Sequence, residues 1–383
     1  MEIGGPNVAF TNYEQMFYAR PGGKKSAKTM SFGFSLGERT TPDQVNLDYR
    51  LTNKELRLEK QVSYIDLLKE KVFLTQRPGA LSEDEVAKLP EEVRQLGDRL
   101  SKNPNRAFEF RNVLSRGFLD LTLAEKSADN LGINAMSVSV QRYLRQALVN
   151  LIHIPGLRGN PQRDYLLRNT KGPRFDGLFQ DYVAGIVAGW KKDDEIAALG
   201  ESLRKLGLTW KVEARALDAT RVEIMVGRLK GPRQGGAKDV VNIADVGFGV
   251  SQILPALVAL QVAKKGQMVH LEQPEIHLHP RAQRGLAEIL ADGAKKGVRM
   301  VVETHSSILL LGIQTLIAEG KLDPNLVKLH WFSRNEETGA TQVDSADLDE
   351  NGAFGSDWPM DFDDTYLASE RDYLNAVEQR NFG

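Results

Sequence analysis

The chain has 383 residues, 41% of them hydrophobic and 26% charged, and no cysteine, which excludes a disulfide scaffold, a thiol nucleophile and a zinc–thiolate site. Mean hydropathy is −0.35, and no window approaches 18 uninterrupted apolar residues. This is the profile of a globular protein with a sizeable core, not of a disordered, fibrous or helical membrane chain. The net charge of −1 hides an asymmetry: from Thr341 to Gly383 eleven Asp/Glu stand against two Arg, a net of −9, leaving +8 on the first 340 residues. A mildly basic body can meet nucleic acid or nucleotide phosphates, although a solvated surface with an acidic closing segment explains the balance as simply. The N-terminus, MEIGGPNVAF, has neither a basic n-region nor an apolar h-region, so no signal peptide and a cytoplasmic location are expected.

Residues 1–76 read as β-rich: Met30–Leu36 and Val45–Tyr49 alternate, with Gly22–Ser26 as a loop. From Leu81 to about Leu151 the pattern is helical, with a capping box at Ser82-Glu-Asp-Glu85 and helical apolar spacing over Arg142–Ile152. Pro155–Gly177 is a Gly-, Pro- and Arg-rich loop, and helix returns over Asp181–Leu206. Strands are expected at Trp210–Ala214 and Arg221–Val226, followed by a connecting loop at Gly231–Gly236. A helix is expected over Ser251–Lys265, with Pro255 in its first turn and Gly266 as its stop. Then Met268–Leu271 is a strand ending in Glu272, Pro280 to Lys296 a helix, and Val298–Val302 a strand ending in Glu303-Thr-His-Ser306. A third helix runs to about Glu319, and Leu326–Phe332 forms another strand. Strands alternating with helices imply a parallel sheet of βαβ units, which binds ligands beyond the carboxyl ends of its strands.

The polar clusters fall at those ends. Glu272-Gln-Pro-Glu275 follows an apolar strand, where a carboxylate can hold Mg²⁺, usually through water, beside nucleotide phosphates. Thr304-His305-Ser306 ends the next strand, where a histidine can hydrogen-bond a γ-phosphate. Gly247-Phe-Gly249-Val-Ser251-Gln252 is a Gly-spaced turn opening a helix, a candidate anion site of backbone N–H groups. Each motif alone is weak, since a Gly turn, a strand-end Glu and a lone His are more often structural. Their order and spacing together are specific.

On these residues the chain resembles the C-terminal lobe of an ABC-type ATPase head, as in the structural-maintenance-of-chromosomes (SMC), RecF and OLD proteins. More closely, it resembles stand-alone bacterial AAA-type ATPases with an ABC-like head and a short C-terminal domain of unknown function. The resemblance matches Gly247–Gln252 to the signature motif and Met268–Glu275 to Walker B. It matches Ile276-His-Leu-His-Pro280 to the D-loop and His305 to the switch histidine. Ile154–Arg158 with Pro161–Tyr165, and the ending with Asp349–Phe354 and Trp358-Pro359, also resemble stretches of that family. It implies an α/β fold: a P-loop NTPase head, its mostly parallel sheet flanked by helices, with a β-rich N-terminal piece and a helical insertion. The expected divisions are a β-rich part of the head at 1–76, the insertion at 77–206, the core at 207–333 and a short acidic C-terminal domain at 334–383. ATP and Mg²⁺ are the implied cofactors, with Glu272 at the metal. Glu272, Gln273, Glu275 and His305 are the implied catalytic set, and Gly247, Gly249, Ser251, Gln252 and Thr304 the implied nucleotide-binding set. The nucleotide would be sandwiched in a homodimer, Gly249 and Ser251 of one head facing the γ-phosphate held by the other. DNA, or a separate effector or nuclease protein, is the implied further partner, in a DNA-related or anti-phage defence role.

Two departures from that pattern matter. No GxxxxGK[ST] occurs in the sequence; the nearest approach, Gly23-Lys24, has Tyr18 in place of the first Gly and Lys25 in place of Ser or Thr. Without that loop no cradle holds the β- and γ-phosphates. The expectation is that the first strand, the Walker A loop and the first helix lie on a separate N-terminal fragment, in a truncated or split protein. A degenerate homologue is the other reading. The second departure is Gln273, where most ABC heads carry Glu: an amide cannot take a proton, so slow hydrolysis is expected unless Glu275 substitutes. The alternative from another class is a module that responds to ATP without turning it over, and no nuclease-like carboxylate–Lys cluster stands out. His277 and His279 are two residues apart, off the i, i+4 zincin spacing, and Asp347–Gly352 starts like an EF-hand loop but has Trp358 at position twelve. Neither supports a metal. Arg158 and Arg163 can contact phosphates or nucleic acid, but structural ion pairs are the expectation.

Overall fold

The computed structural model describes residues 29–36, 43–52, 55–67, 70–100, 108–115, 118–125, 136–138, 149–168, 175, 177–190, 193–229, 239–354, 371, 375, 377 and 380. The loops expected at 22–26 and 231–236, most of the helical pattern at 142–152, and Trp358-Pro359 lie outside them. The chain divides into two compact units, Met1–Leu148 and Val149–Gly383.

The first unit holds two antiparallel sheets. One is a meander of β1 (Thr29–Leu36), β2 (Asp43–Thr52), β3 (Glu55–Leu67) and β4 (Glu70–Gln76). The alternation read at Met30–Leu36 and Val45–Tyr49 is what puts Val45, Leu47 and Tyr49 on the buried face. The other sheet runs β5 (Gly79–Ala80), β6 (Phe108–Ser115), β7 (Phe118–Glu125) and β8 (Met136–Val138). Helices α1 (Glu83–Ala87) and α2 (Glu91–Leu100) separate β5 from β6. The capping box is present: the Ser82 hydroxyl accepts from the Glu85 N–H, and the Ser82 N–H donates back to Glu85. Beyond α2 the helical expectation for 81–151 fails, because Phe108-Glu-Phe110 and Leu119-Asp-Leu121-Thr-Leu123 alternate with period two. They bury Phe110, Leu119, Leu121 and Leu123 in one core with Val45, Leu47, Leu58 and Leu74.

The second unit is α/β. A three-stranded parallel sheet has the order β15–β14–β9, with β9 at Ile152–Ile154, β14 at Met268–Glu272 and β15 at Arg299–Glu303. Between them in sequence lie β10 (Tyr165–Leu166), α3 (Val183–Gly189), α4 (Asp193–Lys205), β11 (Val212–Ala216), β12 (Arg221–Gly227) and β13 (Val240–Asn242). The four strands of that run form an antiparallel sheet. Ile152 therefore opens a strand rather than closing a helix. Helix α5 (Phe248–Val262) starts three residues before the expected position, so Pro255 lies inside it, and Lys264 and Lys265 follow its end. It is apolar all round and buried from Gln252 to Leu260, as a helix packed on every side must be. Helix α6 (Pro280–Lys295) carries the chain from β14 to β15, and α7 (Ser307–Ala318) follows. The strand expected at 326–332 forms at Leu329–Arg334 (β16), but pairs antiparallel with Thr341–Ala346 (β17) instead of extending the parallel sheet. A tight turn with three hydrogen bonds to the Asn335 side chain, ending at Gly339 (φ 69°), reverses the chain there. Among the described residues no helix is long and apolar enough to cross a membrane.

Candidate functional site

The parallel register sets Glu272 opposite Glu303, so β14 and β15 end side by side. The turn that leaves β14 is strained: Gln273 (φ 41°) and His277 (φ 65°) are left-handed without being glycine. The Gln273 N–H donates to the Glu303 carbonyl at 2.8 Å, carrying the ladder one residue past the strand. Pro274 then turns Glu275 inward, where it is buried. Glu275 Oε1 accepts from the Thr304 hydroxyl (2.7 Å) and the His305 N–H (3.0 Å). Thr304 Oγ1 in turn accepts from the Ser306 N–H, and the Ser306 hydroxyl donates to Gln283 and accepts from the Leu309 N–H, capping α7. This chain of bonds fixes the backbone of His305 while its ring stays exposed.

Glu272 is gripped from β9 and the turn after it. His153 Nε2 lies 2.7 Å from Oε1, and the Gly156 N–H donates to Oε2 at 2.9 Å. Burial pushes this carboxyl up, but the Gly156 and His153 bonds and the nearby imidazoles of His153 and His270 hold it below its ordinary value. A Cβ on Gly156 would stand 3.6 Å from Gln273 Oε1 and 3.7 Å from Glu272, so the two side chains converge over that glycine. Arg158 ties this corner to α5. Its guanidinium donates to the carbonyls of Gln252 (3.0 Å), Glu272 (2.7 Å) and Gln273 (3.1 Å). Burial lowers its pKa, against the pull of Glu275 and Glu272. Arg158 is thus structural, but through backbone carbonyls rather than the expected ion pair; Arg163 does pair with Asp245, at 2.7 Å.

Of the residues expected to form a signature motif, Gly247 is the N-cap of α5. Gly249 lies close against the turn that leaves β14: an added Cβ would come to 3.4 Å from the His277 carbonyl and 3.3 Å from Leu208. The Phe248 ring lies 5.6 Å from that of His277 and is 46% exposed. Ser251 bonds the Phe248 carbonyl of its own helix, and the buried Gln252 donates to the Gly159 carbonyl. The structure therefore gathers Glu272, Gln273, Glu275, Thr304 and His305 at the strand ends. At the start of α5 it leaves Gly247 exposed and Gly249 and Ser251 half-buried, and turns Gln252 inward. His279 caps α6, and Asp349 closes a tight turn by accepting from the Asn351 and Ala353 N–H groups.

Sequence reasoning missed His153 and Gly156, the two groups that hold Glu272; the alternation Ile152-His-Ile154 before Pro155 is the signal that could have found them. The donor set fits Mg²⁺ reached through water, since each Glu272 oxygen keeps a lone pair beyond its one hydrogen bond. The pattern GxxxxGK[ST], whose loop holds the β- and γ-phosphates, does not occur in the sequence.

No curated protein matches the chain. Among solved structures, an SMC head bound to the C-winged helix domain of ScpA is 12% identical over 76% of this chain and 98% of its own, with a TM-score of 0.34. An SMC ATPase solved in work on ATP-driven dimerization and DNA-stimulated activation is 16% identical over 46% and 92%, with a TM-score of 0.32. The SMC head domain from Thermotoga maritima is 11% identical over 62% and 73%, with a TM-score of 0.30. The profile of the family described as "AAA domain, putative AbiEii toxin, Type IV TA system" matches residues 21–311, more than half of the sequence, and the chain belongs to that family.

Proposed function

We propose that this chain is the larger part of a cytoplasmic ATPase head that holds Mg²⁺·ATP at the carboxyl ends of β14 and β15 and hydrolyses it slowly. The observation that carries the reading is the convergence of Glu272, Gln273 and the Glu275–Thr304–His305 cluster at two adjacent parallel strand ends, where such sheets bind ligands. Glu272 orients the metal, which when bound offsets charge on the transferring phosphate. Gln273 positions the attacking water but cannot take its proton. Glu275 is a positioning residue, since its bonded oxygen is spent on Thr304 and the His305 N–H. His305 reaches the γ-phosphate. A Walker A loop is supplied from outside these residues, and the exposed α5 end, with Gly247, Gly249 and Ser251, completes the site of a second copy. The family description supports a role in a toxin–antitoxin system, and the basic body supports DNA, or a separate effector, as further partner.

Titration of labelled ATP with Mg²⁺ into the 383-residue chain is expected to show no saturation at micromolar ATP; binding appears when a strand–loop–helix segment bearing GxxxxGK[ST] is added. Micromolar binding by the chain alone would contradict the missing cradle. In the supplemented protein, Gln273→Glu places a proton acceptor beside the phosphates and is expected to raise single-turnover hydrolysis by roughly 10²-fold, while Glu275→Gln costs less than about tenfold. A neutral Gln273→Glu with a loss of roughly 10² to 10⁴ for Glu275→Gln would make Glu275 the general base instead.

A further inference from the structure

Beside the Glu272 carboxylate lies a second chemistry that ATP hydrolysis does not use. His153 and His270 are paired in register on β9 and β14, and their rings stack at 4.9 Å with planes 14° apart. Strand alternation puts both imidazoles on the same sheet face as Glu272, opposite the buried Val269 and Leu271. Ligand atoms of His153, His270 and Glu272 all lie within 4.8 Å of one another, and among the described residues this is the one such group. Val301, the register partner of His270, is 47% exposed on that face, which leaves an approach open.

We propose that His153, His270 and Glu272 bind a transition-metal dication of the Zn²⁺ class, with water in the fourth position. Two imidazole nitrogens and one carboxylate are a ligand set for Zn²⁺ or Co²⁺, whereas Mg²⁺ demands oxygen ligands in octahedral array. The rearrangement needed is a side-chain movement: His153 Nε2 lies 2.7 Å from Glu272 Oε1, closer than two ligands of one tetrahedral metal stand, so that pair opens slightly as the metal enters. His270 now bonds Glu303 Oε1 at 2.9 Å, and that carboxylate is 62% exposed and free to swing away. Occupancy takes Glu272 from Mg²⁺ and so inhibits hydrolysis; this consequence rests on the function proposed above, while the binding itself does not.

The test is Co²⁺ and Zn²⁺ binding to the full chain without nucleotide. Expected are one Co²⁺ per chain with the visible absorption of a four-coordinate site, its displacement by Zn²⁺ but not by excess Mg²⁺, and a Zn²⁺-dependent rise in melting temperature. His153→Ala and His270→Gln should each weaken Zn²⁺ binding by more than about tenfold, and His277→Ala and His279→Ala should not. Because His153 also braces Glu272, the wild-type Co²⁺ spectrum and the His270→Gln titration decide the matter if His153→Ala fails to fold. Absence of a four-coordinate Co²⁺ spectrum in the wild type, or Zn²⁺ affinity unchanged in His270→Gln, would overturn the proposal. If Zn²⁺ binds as expected but does not slow the supplemented ATPase, the metal site stands and the role given to Glu272 falls.

Discussion

Replacing Arg158 with alanine is expected to destabilise the second unit by about 3–5 kcal/mol, because three hydrogen bonds from a charged donor are lost and the carbonyls they held are left without it. The guanidinium is buried, and three backbone carbonyls converge on it from two elements that are distant in sequence: Gln252 inside α5, and Glu272 and Gln273 at the end of β14. Hydrogen bonds to a charged donor are worth about 1.5–3 kcal/mol each, and a buried carbonyl left without a partner costs about 1–3 kcal/mol. Lysine in its place retains the charge but is a point donor, not a planar fork, so it bridges α5 to β14 poorly and recovers only part of the loss. Urea unfolding of wild type, Arg158→Lys and Arg158→Ala measures this. A loss below about 1 kcal/mol for alanine would mean that water or neighbouring groups replace the guanidinium without cost.

Glu272→Gln should leave that unit folded and lower Mg²⁺-dependent single turnover of the supplemented protein by about 10³-fold, which is about 4 kcal/mol of transition-state stabilisation. The amide retains an acceptor for the Gly156 N–H and keeps the shape of the side chain, so the fold has little reason to change. What it removes is the negative charge that holds the metal, and Glu275, the nearest alternative along the turn, is buried against Thr304 and His305. Quench-flow with labelled ATP gives the rate, and circular dichroism and melting temperature report the fold. Turnover near the wild-type rate would show that Glu272 does not orient the metal.

The strand–helix–strand run from Met268 to Glu303 was legible because its signals agree. Apolar strands end in polar clusters, Pro280 opens α6, and Gly297 (φ 79°) closes it. The capping box at Ser82 was legible for the same reason, a local pattern with a local mechanism. Phe108–Glu125 was misread because the helical reading was carried from the capping box at Ser82 to the apolar spacing near Ile152 across a stretch of period two, and pairing between β6 and β7 fixes that period. The direction of Leu329–Arg334 was lost because partner choice is not local: the strand was predicted, its antiparallel partner was not. At the site, residue types at the strand ends could be read, but not what holds them. The grip of His153 and Gly156 on Glu272 joins positions 116 or more residues apart, and the inward turn of Glu275 depends on where Thr304 stands.

Hydrogen–deuterium exchange of the chain, supplemented with the Walker A segment and compared with and without Mg²⁺·ATP, tests most directly whether nucleotide sits at the ends of β14 and β15. The expected result is slowed exchange in peptides covering 272–279 and 303–307, lost in Glu272→Gln when Mg²⁺ is required for binding. Protection confined to other segments, with both of these peptides unchanged at saturating ATP, would contradict the placement of the site.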